Sequence, residues 1–125
     1  MSRNNRRILV VEDDPDGQAV IAHILSYMNV PVDVVGDAEQ ADHALFMQQI
    51  PYTSVIIDLA LPGKDGFALM RDIKANNATA HLPCIAVTAY HTTKLREESI
   101  KAGFDAYFPK PLEATSFVRQ LEGVL

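Results

Sequence analysis

The sequence is poor in three things: cysteine, positive charge and long apolar runs. Its single cysteine, Cys84, excludes an intramolecular disulfide and suits a reducing compartment. Cys84 lies in the apolar run CIAV, so it is expected as a small core residue rather than a nucleophile. Lys and Arg number 11 against 16 Asp and Glu, a formal net charge of −5. That balance argues against nucleic acid or an anionic membrane as a partner, because both reward clustered cations. The one basic cluster, Arg3, Arg6 and Arg7, is expected to be a solvated end, with residues 1–6 a flexible tail. No apolar run approaches the roughly 20 residues of a membrane helix. Ile8 to Val11 is too short for a secretory signal core. A cytoplasmic location is expected.

What is present fits one domain, over residues 1–125, large enough to bury a real core. Five short apolar runs recur: Ile8 to Val11, Val32 to Val35, Val55 to Ile57, Ile85 to Val87 and the weaker Ala106 to Phe108. The first, third and fourth are continuous rather than alternating. Parallel strands read that way when helices cover both faces.

Helical patterns fill the gaps. Val20, Ile21, Ile24, Leu25 and Met28 form one stripe, with Asp14 as N-cap and Pro15 in the first turn. Asp37 and Gln40 open a second helix in a capping pattern, with Ala41, Ala44 and Leu45 inward. Phe67, Met70 and Ile73 mark a third. Leu95 and Ala102 mark a fourth, ended by Gly103. Phe117, Leu121 and Val124 mark the last. Met28, Met47 and Met70 fall on helix faces and are expected in the core. The order is βαβαβαβαβα, an α/β doubly wound parallel sheet. No repeat, low-complexity segment or linker is visible.

Sites in such sheets form beyond the carboxyl ends of the strands. Glu12, Asp13 and Asp14 follow the first strand, and Asp58 ends the third. Thr88 ends the fourth, and Lys110 follows the fifth. Crowded carboxylates repel one another unless a cation offsets them. Oxygen ligands without nearby Cys or His suit a hard ion such as Mg²⁺, which shares its ligands readily with phosphoryl oxygens. Lys110 and Thr88 supply a charge and a hydroxyl for phosphate oxygens. Asp58 is then the candidate nucleophile, able to form an acyl phosphate.

The motifs ILVVEDDPD, VIIDLALPGKDG, IAVTAY and YFPKP, in this order and spacing, resemble the receiver domain of bacterial two-component response regulators. The resemblance covers nearly the whole chain. It implies the CheY-like, flavodoxin-like (βα)5 fold, with strand order 2-1-3-4-5. It also implies Asp58 as phosphoacceptor, Asp13 as a direct Mg²⁺ ligand and Glu12 as the neighbouring acid. Ala60 falls where the family offers a backbone carbonyl to the metal. Thr88 matches the switch hydroxyl, Lys110 the lysine of the site and Tyr107 the switch aromatic. Lys110-Pro111 is expected to be a cis bond.

The implied partners are a histidine kinase or histidine phosphotransfer protein and an unknown downstream protein, with a homodimer possible on phosphorylation. The implied output face joins helix four, strand five and helix five. No enzyme activity is implied beyond self-phosphorylation from small donors and slow self-dephosphorylation. A receiver segment of a longer regulator or hybrid kinase is the alternative.

Two rival classes fit less well. Haloacid dehalogenase-type phosphatases place an acid two residues after the nucleophile, where this chain has Ala60. A flavodoxin-like FMN binder needs a phosphate-cradling loop after the first strand, where this chain has EDDPD.

Some features lie outside the family pattern. Lys64 stands where an apolar residue is common. Asp14 is an extra acid, read as a helix cap. His23, His43, His81 and His91 lack ligand spacing and are expected on the surface. Tyr90, two residues after Thr88, either leans over the phosphoryl group and excludes water or points outward.

Overall fold

The computed structural model describes residues 6–124. Its elements are β1 (Ile8–Val11), α1 (Pro15–Ser26), β2 (Val32–Val35), α2 (Ala38–Asp42), β3 (Ser54–Asp58), α3 (Gly66–Ala75), β4 (Cys84–Thr88), α4 (Thr93–Ala102), β5 (Ala106–Pro109) and α5 (Ala114–Val124). A π-helical stretch, His43–Met47, continues α2. The five strands form one parallel sheet in the order β2-β1-β3-β4-β5. The expected fold is therefore the one observed. Among the described residues, no helix is long and apolar enough to cross a membrane.

The continuous apolar strands are explained by two cores, one on each face. Ile8, Val10, Ile56, Ile85, Val87 and Phe108 point to the side covered by Ile21, Ile24 and Leu25 of α1 and by Phe117 and Leu121 of α5. Leu9, Val11, Val55, Ile57, Cys84, Ala86 and Tyr107 point to the other side. There they meet Ala38 and Ala41 of α2, Leu45, and Leu69, Met70 and Ile73 of α3. Alternate side chains of one strand thus serve opposite cores. Phe108 and Phe117 meet edge-to-face at 4.7 Å, a favoured aromatic geometry. Cys84 lies in the core, where burial pushes its thiol up to about 12.

Helix starts follow local chemistry. The carboxylates of Asp14, Asp37 and Asp65 accept from the backbone N–H groups of Gly17, Gln40 and Ala68, and the Thr92 hydroxyl accepts from Leu95 N–H. Gly103 ends α4 at φ 131°, a conformation that glycine takes without a side-chain clash.

Four expectations need correction. Met47 is 76% exposed. The Gln48 N–H reaches back to His43 O, so the wider turn shifts the helical phase and rotates Met47 out of the core. Val20 is exposed because α1 buries a narrower stripe than five apolar residues suggest. Ala102 is exposed, and the buried residue of α4 is Ser99.

The basic cluster is not simply solvated. Arg7 grips both Asp33 oxygens, from Nε at 3.0 Å and Nη2 at 2.9 Å, and Arg6 pairs with Glu122 at 3.0 Å. Arg3 and the rest of the proposed tail up to residue 5 lie outside the described residues.

Candidate functional site

The strand order puts β1 between β2 and β3, so the chain's connections diverge at the β1–β3 boundary, where open α/β sheets bind ligands. Register brings the pieces level. Val11 pairs with Ile57, Asp58 with Val87, and Thr88 with Pro109. Glu12, Asp58, Thr88 and Lys110 therefore reach the same rim.

Glu12 is wholly buried. Its Oε1 accepts from Lys110 Nζ, and its Oε2 accepts from the Asp14 N–H at 3.1 Å. Gln18 Nε2 donates to its backbone oxygen at 2.7 Å. A Cβ on Gly17 would lie 2.8 Å from the Glu12 carboxyl carbon, so a glycine there leaves room for this acid. Burial pushes the Glu12 carboxyl above its ordinary range, against the pull of the Lys110 ammonium.

Asp58 ends β3 with little exposure. Its Oδ1 accepts from the Ala60 N–H at 2.9 Å, and its Oδ2 from Lys110 Nζ at 3.2 Å. The start of α3 packs hard against this loop, because a Cβ on Gly66 would meet the Asp58 carbonyl at 2.6 Å. Lys64 ties the same loop to Asp42 at 2.9 Å and to Asp72, so its departure from an apolar side chain is absorbed by two acids. Asp13 is exposed, and carboxylate oxygens of Glu12, Asp13 and Asp58 all lie within 4.8 Å of one another.

Burial works against the charge on Lys110, but the Glu12 hydrogen bond and the charge of Asp58 hold its ammonium above its ordinary value. Its own N–H donates to Thr88 O at 2.8 Å, and the bond to Pro111 is cis. The Thr88 hydroxyl accepts from the Tyr90 N–H at 3.0 Å, while the Tyr90 side chain is 72% exposed. The Ala60 side chain is exposed and offers no acid, and Asp14 is occupied as the α1 cap.

Tyr107 sits apart from the carboxylates, buried on β5, with its hydroxyl 2.9 Å from Nδ1 of His91. The four histidines are exposed, but His91 has this partner as well. Sequence reasoning missed that contact, and it missed Arg96, whose guanidinium lies 5.3 Å from the Tyr107 ring centroid. The two sit 16 and 11 residues before Tyr107, with no periodicity to link them.

The donor set fits a hard divalent cation: three oxygen ligands, no thiolate or imidazole, and more negative charge than one lysine offsets. A doubly wound parallel sheet with such a cluster at its switch point defines an α/β protein with an acidic rim at the carboxyl ends of its strands. The family model of the response regulator receiver domain matches residues 8–122, and the chain belongs to that family.

The response regulator RppA of Synechocystis sp. is 33% identical over 118 residues, which are 94% of this chain and 50% of RppA. This chain thus spans about half the length of that relative. The receiver domain of the sensor histidine kinase PA1611 of Pseudomonas aeruginosa, with a magnesium ion coordinated in its active site cleft, is 32% identical. It covers 94% of this chain and 95% of its own, with TM-score 0.84. The BeF3-activated N-terminal receiver domain of RstA from Klebsiella pneumoniae is 26% identical, covering 94% and 96%, with TM-score 0.83.

Proposed function

We propose that the chain accepts a phosphoryl group on Asp58 from a phosphohistidine of a histidine kinase or histidine phosphotransfer protein. The observation that carries this is the convergence of Glu12, Asp13, Asp58 and Lys110 on one rim of the sheet. An Asp58 oxygen attacks phosphorus, the P–N bond to the donor imidazole breaks, and the imidazole keeps the bonding pair and takes up a proton. The product is an acyl phosphate on Asp58.

Glu12, Asp13, Asp58 and the Ala60 carbonyl are the groups that would hold Mg²⁺. The bound ion supplies positive charge that offsets the phosphoryl oxygens. Lys110, already anchored between Glu12 and Asp58, adds a second cation at the same place. Thr88 offers a hydroxyl donor beside it. Hydrolysis of the acyl phosphate is a slow self-reaction that sets signal lifetime.

Output follows from a population shift of the face built by α4, β5 and α5, with Tyr107 as its moving aromatic. That face contacts a downstream protein or, on phosphorylation, a second copy. RppA's length supports a second reading, in which this receiver is one part of a longer regulator.

Acetyl phosphate tests the chemistry directly. With Mg²⁺ the intact mass is expected to rise by one phosphoryl group. EDTA or Asp58→Asn should abolish the gain. An unchanged gain in Asp58→Asn would move the acceptor elsewhere.

A further inference from the structure

The helix α4 has little to hold it. Ser99 is its one buried residue, Leu95 is partly buried and Ile100 is exposed. A short helix that buries so little apolar surface draws little stability from packing.

One of its contacts is with a single ring. Tyr107 is fixed within β5, opposite Ala86 of β4. Arg96 of α4 lies over that ring, and the His91 and Tyr107 rings sit 5.5 Å apart at 53°. The Tyr107 ring is buried, and at its half-buried hydroxyl end His91 Nδ1 lies within hydrogen-bond distance, at 2.9 Å. His91 is placed to transmit as well as to bind. It directly precedes Thr92, the N-cap of α4, and follows Thr88 by three residues.

We propose that His91 is a positioning residue that latches the loop after β4 and the first turn of α4 to the Tyr107 hydroxyl. Tyr107 leaves its site only by giving up this hydrogen bond, and α4 loosens when it does. The link from latch to signal rests on the receiver reading above; the latch itself does not.

Hydrogen–deuterium exchange on the unphosphorylated full chain tests the latch. His91→Ala and Tyr107→Phe should each speed exchange across residues 93–102 by about fivefold, the worth of one hydrogen bond released locally. Residues 15–26 and 114–124 should not change. The double variant should exchange no faster than either single, since both remove the same bond. Unchanged exchange in His91→Ala, or additive effects in the double variant, would overturn the proposal.

Beryllofluoride with Mg²⁺, a stand-in for the phosphoryl group, tests the link to signalling. It should change α4 exchange in wild type and have little effect in His91→Ala. A full beryllofluoride response in His91→Ala would overturn the link. If wild type ignores beryllofluoride while the unligated variants behave as expected, the receiver reading fails and the latch stands.

Discussion

The two rims of the sheet treat charge in opposite ways. At the amino rim, Arg7 forks onto both Asp33 oxygens, and Tyr52 donates its hydroxyl to the same carboxylate at 2.7 Å. Thr53 and Arg7 also exchange hydrogen bonds, locking the entry to β1 against the entry to β3. One acid there has three donors. At the carboxyl rim, one ammonium, that of Lys110, pairs with Glu12 and Asp58, and Asp13 adds a third carboxylate to the cluster. The amino rim is satisfied as it stands and serves stability. The carboxyl rim is left short of positive charge, the condition that recruits a cation. Charge content alone does not separate a structural cluster from a functional one; the balance of partners does.

Mg²⁺ provides the largest test of this contrast. At a hundred times its dissociation constant, the ion should raise wild-type stability by about 2.7 kcal/mol. Asp13→Ala should lose most of that gain, while Asp33→Asn should keep it. Thermal melts with and without Mg²⁺ measure both. An equal gain in Asp13→Ala would remove Asp13 from the cation site.

The amino rim should fail in the other direction. Tyr52→Phe removes one donor to a paired carboxylate and should cost about 1 kcal/mol, with or without Mg²⁺. The hydrogen bonds from Arg7, then from Tyr52, hold the Asp33 carboxyl below its ordinary value. A group with a depressed folded-state pKa contributes stability above its unfolded value, about 3.9, and loses it as pH falls through the folded one. Wild type should therefore exceed Asp33→Asn at neutral pH, and the gap should close below about pH 4. A gap that persists in strong acid would mean Asp33 acts by shape rather than charge.

A smaller effect is expected from Asp13→Ala in EDTA. Removing the exposed member of three crowded carboxylates, the other two being buried, should raise metal-free stability by about 0.5 kcal/mol. A clear loss would show that Asp13 has a structural partner.

The sequence made the carboxyl rim legible and left the amino rim hidden. Glu12, Asp13, Asp58, Thr88 and Lys110 each abut an apolar strand, so local pattern finds both the strand and the residue at its end. Arg7 and Asp33 meet only because β1 and β2 pair in one register, with Leu9 opposite Asp33. Nothing local to either residue encodes that pairing. Met47 escapes the pattern for a different reason: a π-helical turn breaks the 3.6-residue period on which stripe reading depends. The α4 stripe is not legible because Leu95 and Ala102 are too few to define a face, and the contact of Arg96 with the Tyr107 ring has no local signal.

Tyr90 tests how far the functional rim extends. Its backbone belongs to the rim, since its N–H donates to the Thr88 hydroxyl at 3.0 Å. Its ring does not, being 72% exposed. If the ring shielded an acyl phosphate on Asp58 from water, truncating it would speed hydrolysis severalfold, about 1 kcal/mol of barrier. Its exposure favours the outward reading, in which it contacts a partner. Tyr90→Ala should therefore change the decay of phospho-Asp58 less than about twofold, under 0.5 kcal/mol. The rates are compared in excess Mg²⁺ after removal of the phosphodonor. Severalfold faster decay in the variant would show that the ring folds inward once the phosphoryl group is present, carrying the rim from Thr88 out to Tyr90.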